Sequence, residues 1–329
     1  MRPTRDGLPT EDQYRGVLLG LAAADALGAP FEGGPLERLV WQVLGRDREG
    51  RRRWTDDTQM SIDVLETYLT HGGLDQDRLA VRFAASYRWS RGYGPGAARV
   101  LRRIRKGQDW RSARRTVYPE GSYGNGGAMR APVVALVAAT ADSELSDIIE
   151  ATRRVAEITH AHEQALQGSS LVGLATFAAL LGRAAGSVIE EASAAVTDEQ
   201  LAQRWSVARS WLRDGASPNP AKVRTELGAG MLAVDSCVTA TYLALHHLTD
   251  PFEVLLDSVR ELGGDVDTIG AMAGGIWGAH NGAARLPSHL LQRVEKVEDL
   301  EDLADRVCRT VRGLGPDTLK GPPRNRPEP

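Results

Sequence analysis

Two short segments of this chain gather more oxygen donors than a loop ordinarily needs. Thr55-Asp56-Asp57 opens one predicted helix, and Asp265-Val266-Asp267-Thr268 opens another more than two hundred residues later. Carboxylates one or two positions apart, beside a threonine hydroxyl, supply the oxygen ligands that a hard cation such as Mg²⁺ prefers. No histidine or cysteine is interleaved, which argues against zinc. The two segments therefore predict a site for a divalent cation.

Acids at a helix start can also have a purely structural role. Carboxylates in a first turn satisfy free N–H groups and favour the helix dipole, so either cluster alone could be a capping arrangement. Each cluster, however, holds more acids than one cap requires, and the residues after Thr268 are Ile-Gly-Ala-Met-Ala-Gly-Gly-Ile-Trp-Gly. Interior glycines cost roughly 1 kcal/mol each in a helix. Their number predicts a central helix that other helices approach closely.

Two further acids precede these clusters. Asp25 lies late in an apolar helical segment, where a carboxylate meets the unfavourable end of the helix dipole. It needs a compensating partner, so we expect a structural hydrogen-bond network or, alternatively, a direct catalytic role. Glu32 lies in the following loop, between glycines and a proline, where it could act in chemistry or simply face solvent.

Two glycine-rich loops could bring the backbone close to a ligand. They are residues 92–96, Gly-Tyr-Gly-Pro-Gly, and residues 121–127, Gly-Ser-Tyr-Gly-Asn-Gly-Gly. His160 lies near a helix junction and is expected to bind a ligand phosphate, cap a helix or lie on the surface. The basic run Arg51-Arg52-Arg53 could attract phosphate, although such runs are more typical of solvated faces. We infer no nucleic-acid partner from it.

The elements that must position these residues are helices. Aromatic residues make up 5% of the chain and alternating β-branched runs are almost absent, so a helical period dominates. We predict an all-α, compact single domain of about a dozen helices around a central small-residue helix. The predicted segments are 11–27, 57–70, 75–90, 96–106, 126–140, 144–160, 162–185, 198–213, 235–247, 251–262, 268–282 and 299–312.

The predicted domain organisation is simple. Residues 1–10 form an N-terminal arm, residues 11–312 the domain, and residues 313–329 a proline-rich, extended or disordered tail. The stretch 214–220 is the best candidate for a hinge, but the composition does not change after it. We therefore expect one domain.

Charge and cysteine usage exclude several kinds of partner. With 40 basic and 43 acidic residues the net charge is −3, which favours neither nucleic acid nor an acidic membrane. Cys237 and Cys308 have no metal-type spacing, which indicates buried thiols in a reduced, cytoplasmic protein. The longest weakly polar run, 169–181, is shorter than the ~20 residues of a membrane helix. We expect no membrane span, and a monomer.

The order of these motifs resembles the ADP-ribosylglycohydrolase family, which includes the dinitrogenase-reductase-activating glycohydrolase. The resemblance runs from about residue 13 to about residue 290. Within the family, the sequence is most similar to the subgroup that releases ADP-ribose from serine, from poly(ADP-ribose) and from O-acetyl-ADP-ribose. The motifs that carry the family resemblance are Gly20-Leu-Ala-Ala-Ala-Asp25 with Glu32, Trp54-Thr55-Asp56-Asp57-Thr58, the block Gly121-Ser-Tyr-Gly-Asn-Gly-Gly-Ala-Met-Arg130, Thr159-His160 and Gly263-Gly-Asp265-Val-Asp267-Thr268; the subgroup also rests on Arg91-Gly-Tyr-Gly94 and Glu226-Leu-Gly.

The resemblance implies two Mg²⁺ ions, replaced by Mn²⁺ in some relatives, at the base of a cleft that binds ADP-ribose and ADP-ribosylated proteins or polymer. Glu32 and Asp57 would be catalytic, with Glu32 exchanging a proton with the leaving group or the water. The implied metal ligands are Thr55, Asp56, Asp57, Asp265, Asp267 and Thr268, and the implied substrate-binding residues are Gly94, Gly121, Ser122, Tyr123, Gly124, Asn125 and His160. Ala24 and Val266 depart from the family pattern without removing a metal oxygen donor.

Three other functions stay open on the sequence alone. The same fold could act on ADP-ribosyl-arginine, because leaving groups are recognised at the rim of a cleft, where sequence is least informative. It could also be a non-catalytic ADP-ribose binder. Acids and glycine loops by themselves would further suit a metal phosphohydrolase, which would release phosphate or AMP instead of intact ADP-ribose.

Overall fold

The computed structural model describes residues 8–34, 38, 41–42, 45–140 and 142–314. These ranges contain sixteen α-helices, four short 3₁₀ helices and no β-strand, which confirms the all-α prediction. The α-helices are α1 Glu11–Gly28, α2 Asp56–His71, α3 Gln76–Ser86, α4 Pro95–Arg105, α5 Trp110–Val117, α6 Ala131–Ala138, α7 Leu145–Glu157, α8 Glu163–Leu180, α9 Ala185–Ser193, α10 Glu199–Asp214, α11 Pro220–Glu226, α12 Ala233–His246, α13 Phe252–Leu262, α14 Val266–Asn281, α15 Ser288–Leu291 and α16 Val297–Val311.

Local capping chemistry sets several of the helix starts. Thr10 and Gln13 form a reciprocal capping box at the start of α1. Asp75 and Asp198 accept hydrogen bonds from the first turns of α3 and α10, as their positions in the sequence predict. Pro251 directly precedes α13. The longer helices therefore begin within a few residues of their predicted starts.

Some predicted segments divide in the structure. The segment 126–140 is a 3₁₀ turn, Asn125–Arg130, followed by α6, and the segment 162–185 ends at Leu180 before α9 begins. The helices α5, α9, α11 and α15, of eight, nine, seven and four residues, have no predicted counterpart. Such short helices depend on tertiary packing more than on their own periodicity, so a sequence pattern detects them poorly.

The predicted central helix is α14, and all but one of its residues, His280, are buried. It packs antiparallel against α1 through facing small residues. A Cβ on Gly20 would collide with the carbonyl oxygen of Gly274, and a Cβ on Gly278 with that of Gly16. The glycines therefore allow the two backbones to touch. This contact places the C-terminal end of α1 beside the N-terminal end of α14.

One buried apolar cluster extends through the described helices. Trp211 and Val223, on either side of the predicted hinge, both belong to it. Both cysteines are buried thiols, as predicted. Among the described residues no helix is both long and apolar enough to cross a membrane. The predicted arm over residues 1–7 and the predicted tail beyond residue 314 lie outside the described residues, so the domain limits stay a prediction.

Candidate metal centre and substrate cleft

The first acidic cluster opens α2, and Asp25 holds it in place. The carboxylate of Asp25 accepts hydrogen bonds from the amide of Thr55 at 3.0 Å, from the amide of Thr58 at 3.1 Å, and from the Thr58 hydroxyl. The positive end of α2 thus compensates the buried charge of Asp25. This is the hydrogen-bond network expected for Asp25, and it links the end of α1 to the start of α2.

The second acidic cluster opens α14 from a turn that requires glycine. Gly263 and Gly264 have φ of 68° and 81°, and a Cβ on Gly264 would collide with the carbonyl of Ala229. The amide of Asp265 donates to that same carbonyl at 2.9 Å. The Asn125 side-chain amide donates to Asp265 at 2.6 Å. Asn125 therefore positions a candidate metal ligand, whatever contact it also makes with substrate.

The two clusters meet although they are far apart in the chain. Carboxylate oxygens of Asp25, Asp57 and Asp267 all lie within 4.8 Å of one another, and so do those of Glu32, Asp265 and Asp267. The Thr268 hydroxyl donates to Asp57 across the gap at 3.3 Å. Asp267 belongs to both groups and joins them into one centre.

The centre carries more negative charge than its surroundings neutralise. Burial raises the pKa of Asp25 to about 6, and burial together with the charge of Asp25 raises the pKa of Asp56 to about 8. Burial and neighbouring carboxylates raise the pKa of Asp57 and Asp267 well above the usual range, and burial raises that of Asp265. A bound cation would offset this repulsion.

The residues present fit a divalent cation. Each group of converging side chains consists of carboxylates alone, and hard cations such as Mg²⁺ and Ca²⁺ prefer oxygen donors. Buried carboxylates without a cation are unfavourable, which gives the folded chain a reason to bind one.

The raised pKa values predict how stability depends on pH without a divalent ion. The folded chain holds protons on Asp25 and Asp56 that the unfolded chain releases above its carboxylate pKa of 3.8. In chelator we therefore expect the melting temperature to fall as the pH rises from 6.5 to 8.5, by roughly 2 °C or more. Saturating Mg²⁺ should abolish most of this fall, because bound cations stabilise the charged carboxylates. Equal pH dependence with and without Mg²⁺ would contradict the metal centre.

A cleft of about 410 Å³ opens above the carboxylates. The predicted residues that line it are Glu32, Asp56, Asp57, Gly94, Ser122, Tyr123, Gly124, Asn125, His160, Asp265, Asp267 and Thr268. Thr55 and Gly121 are not on its surface. Thr55 lies buried beneath Asp57, and Gly121, with φ of 89°, packs against the backbone of His162. Both residues therefore support the residues that line the cleft without lining it themselves.

His160 supports the glycine-rich loop from below. A Cβ on Gly126 would lie 2.6 Å from the His160 ring, so the ring packs directly against the loop backbone. Burial and the charge of Arg130 lower the pKa of His160 to about 3, which keeps the ring neutral at ordinary pH. Its Nδ1 is 2.8 Å from the hydroxyl of Thr159. A neutral imidazole can offer a single hydrogen bond to a ligand without adding charge.

Some backbone amides of the 121–127 loop already donate hydrogen bonds within the protein. The amides of Gly121, Gly124 and Asn125 donate to Tyr118, Ser122 and Met231 respectively. The amides of Ser122 and Tyr123, which lie outside any helix, have no hydrogen-bond acceptor among the described residues and could donate to a phosphate. Tyr123 is 44% exposed and stacks on His162 with ring centroids 3.5 Å apart, so its other ring face is open to a flat ligand.

Sequence reasoning missed two residues that organise the cleft. Arg130 is completely buried between the loop and α7, where it donates to the carbonyls of Gly126 and Val155 and to the Thr159 hydroxyl. A lone arginine in the apolar run Ala-Met-Arg-Ala-Pro-Val was a signal of this role. Glu295 accepts from the Trp54 amide and from Arg91, so it ties the α2 start to the Gly92–Gly94 loop.

This fold and cleft define a class of protein. Its members are all-α, with helix starts that bring carboxylates together in a centre that could bind metal, beside a glycine-rich wall that suits a polar, phosphate-bearing ligand.

A family model for ADP-ribosylglycohydrolase matches residues 7–316, and the chain belongs to the ADP-ribosylglycohydrolase family. It is 31% identical to the ADP-ribosylhydrolase ARH3 of Danio rerio, over 84% of this chain and 84% of that one. Identity to ARH3 of Homo sapiens is 30%, over 86% and 89%. Identity to the ADP-ribosyl-(dinitrogen reductase) glycohydrolase of Rhodospirillum rubrum is 28%, over 88% and 92%.

A solved structure described as an ADP-ribosylglycohydrolase-related protein complex has the same fold. It aligns with a TM-score of 0.68 and 26% identity, over 92% of this chain and 98% of that one. The family membership and these relatives make the chain a hydrolase of ADP-ribose conjugates.

Proposed function

We propose that this hydrolase releases ADP-ribose from serine-linked ADP-ribose, poly(ADP-ribose) or O-acetyl-ADP-ribose, with two Mg²⁺ ions in its carboxylate centre. The observation that carries the proposal is that Asp267 converges with Asp57 in one group of carboxylates and with Glu32 in another, and that these three residues line the same cleft as the glycine-rich loop. One end of the cleft suits ribose hydroxyls and cations, and the other suits a diphosphate. An ADP-ribosyl group has both features.

The residues of the centre would hold the ions, with the carboxylates of Asp56, Asp57, Asp265 and Asp267 and the hydroxyls of Thr55 and Thr268 as ligands. When bound, the ions supply Lewis-acid polarisation and orientation of ribose oxygens. Asp25 is committed to the start of α2 through its hydrogen bonds, so its contribution is to set the position of Asp57.

The bond to be broken joins the anomeric carbon of the distal ribose to the leaving oxygen. Positive charge develops on the ribose as that bond lengthens. A carboxylate held close to this carbon would stabilise the developing positive charge. Glu32 lies half-buried on the cleft surface, where its carboxyl can give a proton to the leaving oxygen or take one from the attacking water.

The opposite wall would hold the rest of the ligand. His160 and amides of the Gly121–Gly127 loop, which line this cleft, would bind the diphosphate. The open face of Tyr123 suits the adenine ring. The preference for serine and polymer over arginine rests on the sequence motifs of the subgroup and on similarity to the ARH3 relatives at 30–31% identity.

A panel of substrates tests this proposal. Serine-linked, arginine-linked and polymeric ADP-ribose and O-acetyl-ADP-ribose are each incubated with the protein, with Mg²⁺ and with chelator, and products are identified by mass spectrometry. We expect intact ADP-ribose from the first, third and fourth substrates, only with Mg²⁺. Turnover of the arginine conjugate alone would reassign the leaving group. Phosphate or AMP as product would overturn the hydrolysis at the anomeric carbon.

A further inference from the structure

A second pocket lies beside the candidate centre and is strongly cationic. It has a volume of about 370 Å³ and is lined by Pro30 and Phe31 on one side and by four arginines, Arg46, Arg52, Arg260 and Arg293. Small-molecule sites commonly have volumes of ~300–1,000 Å³. No residue assigned to the metal centre or to the cleft lines this pocket.

The arginines converge because the backbone holds them together. Arg46 and Arg52 face each other in an antiparallel bridge, and Arg52 also pairs with the backbone of Arg293 and Val294. Like charges directly opposite one another are destabilising. Burial, and to a smaller extent the charges of Arg46 and Arg293, lower the pKa of Arg52.

Acidic groups do not balance this charge within the described part of the chain. There, Arg46, Arg52 and Arg293 form no ion pair with a carboxylate, whereas Arg260 pairs with Asp257 at 3.0 Å. The Nε of Arg260 is buried and has no hydrogen-bond partner. Three guanidinium groups without a carboxylate partner among the described residues, and a fourth with one, surround this pocket and are a suitable site for an anion with several oxygens.

The pocket is close to Glu32 and to the first acidic cluster along the chain. The guanidinium carbon of Arg260 lies 5.0 Å from the ring centroid of Phe31, and Phe31 directly precedes Glu32. Arg52 is three residues before Thr55. Trp41 separates the two sites. Its carbonyl accepts from Arg52 at 3.3 Å, and its ring lies 3.1 Å from the position of a Cβ on Gly92, a residue on the rim of the cleft.

We infer that the four-arginine pocket binds the diphosphate of the ADP-ribose unit on the leaving side of a polymer. This inference rests on the proposed function, in which Glu32 faces the leaving oxygen. Three residues of chain span at most ~10 Å, so the backbone of Arg52 lies within that distance of Thr55, a proposed ligand of the metal centre. A polymer places a diphosphate on the leaving side of the bond, whereas a serine leaving group has none. The pocket would therefore favour polymer over serine-linked substrate.

The double variant Arg46→Gln with Arg293→Gln tests the inference. Both side chains are exposed, and neither belongs to the metal centre or the cleft. We expect KM for poly(ADP-ribose) to rise about tenfold or more with kcat unchanged, and kinetics with serine-linked ADP-ribose to stay as in the wild type. The control is Arg154→Gln with Arg213→Gln, which removes the same charge from exposed positions elsewhere. It should leave both substrates unaffected.

Two further outcomes separate the pocket from the proposed activity. Calorimetric titration of inorganic pyrophosphate into the ADP-ribose-saturated, metal-free protein should show binding by the wild type and by the control, and none by the Arg46/Arg293 variant. Equal KM values for polymer in wild type and variant would overturn the inference. If the wild type does not cleave polymer at all, the polymer is excluded as occupant and the proposed function fails for that substrate. Pyrophosphate binding lost in the variant would then still show an anion site.

Discussion

Replacement of Asp267 by alanine is expected to lower kcat/KM for ADP-ribose release by about a thousandfold or more in Mg²⁺. Asp267 is the residue common to both groups of converging carboxylates, so its loss removes a donor from each. A thousandfold loss corresponds to about 4 kcal/mol of transition-state stabilisation, which is the scale of a metal contribution. Steady-state kinetics on the substrate that the wild type cleaves best measures this change.

Misfolding can be distinguished from a loss of metal in this variant. Asp267 is buried among like charges that raise its pKa, so the metal-free Asp267→Ala protein should melt no lower than the wild type. The rise in melting temperature on adding Mg²⁺ should shrink. Asp299→Ala, at an exposed position on α16, is the matched control and should keep full activity. Full activity of Asp267→Ala in Mg²⁺ would refute the two-ion centre.

The second large effect is expected for Glu32→Gln. The amide keeps the shape of the side chain but cannot exchange a proton, so kcat should fall about 10²- to 10⁴-fold with little change in KM. Glu32 is not among the proposed metal ligands, and the ligands Asp57, Asp265 and Asp267 are unchanged in this variant. Stabilisation by Mg²⁺ should therefore largely persist, unlike in Asp267→Ala.

The pH dependence of kcat adds an independent measurement for Glu32. If Glu32 is the proton-exchanging group, the variant should lose the limb of the profile that this carboxyl produces in the wild type. Glu150→Gln, on the exposed face of α7, is the control and should behave as the wild type. A kcat for Glu32→Gln within about threefold of the wild type would assign the proton transfer to another group.

Local patterns in the chain predicted much of what is local in the structure. The starts of α3 and α10 follow from their capping aspartates, and the burial of α14 follows from its glycines. Helices can be predicted from the sequence because apolar spacing and capping residues act over only a few neighbouring residues. The short helices α5, α9, α11 and α15 were not predicted, because their stability comes from contacts with distant parts of the chain.

The roles of individual site residues needed the folded chain. Asn125 was predicted to bind substrate, and the structure adds a hydrogen bond to Asp265. Thr55 and Gly121 lie behind the cleft surface, which no motif reveals. The buried Arg130 holds the glycine-rich loop against α7 by donating to the carbonyls of Gly126 and Val155. Such roles depend on which side of an element faces the cleft.

By itself the sequence determined an all-α chain, its two acidic helix starts and its glycine-rich loop, because each is encoded within a few neighbouring residues. It also indicated the family, through the order of these motifs. The resemblance also implied that the two acidic helix starts share one metal site. Only the tertiary structure decided that Asp25 joins Asp57 and Asp267 there, and that four arginines form a pocket beside it. The physical reason is that α1 and α14 must touch along facing glycines before Asp25 and Asp267 can meet, and that contact joins residues more than two hundred positions apart.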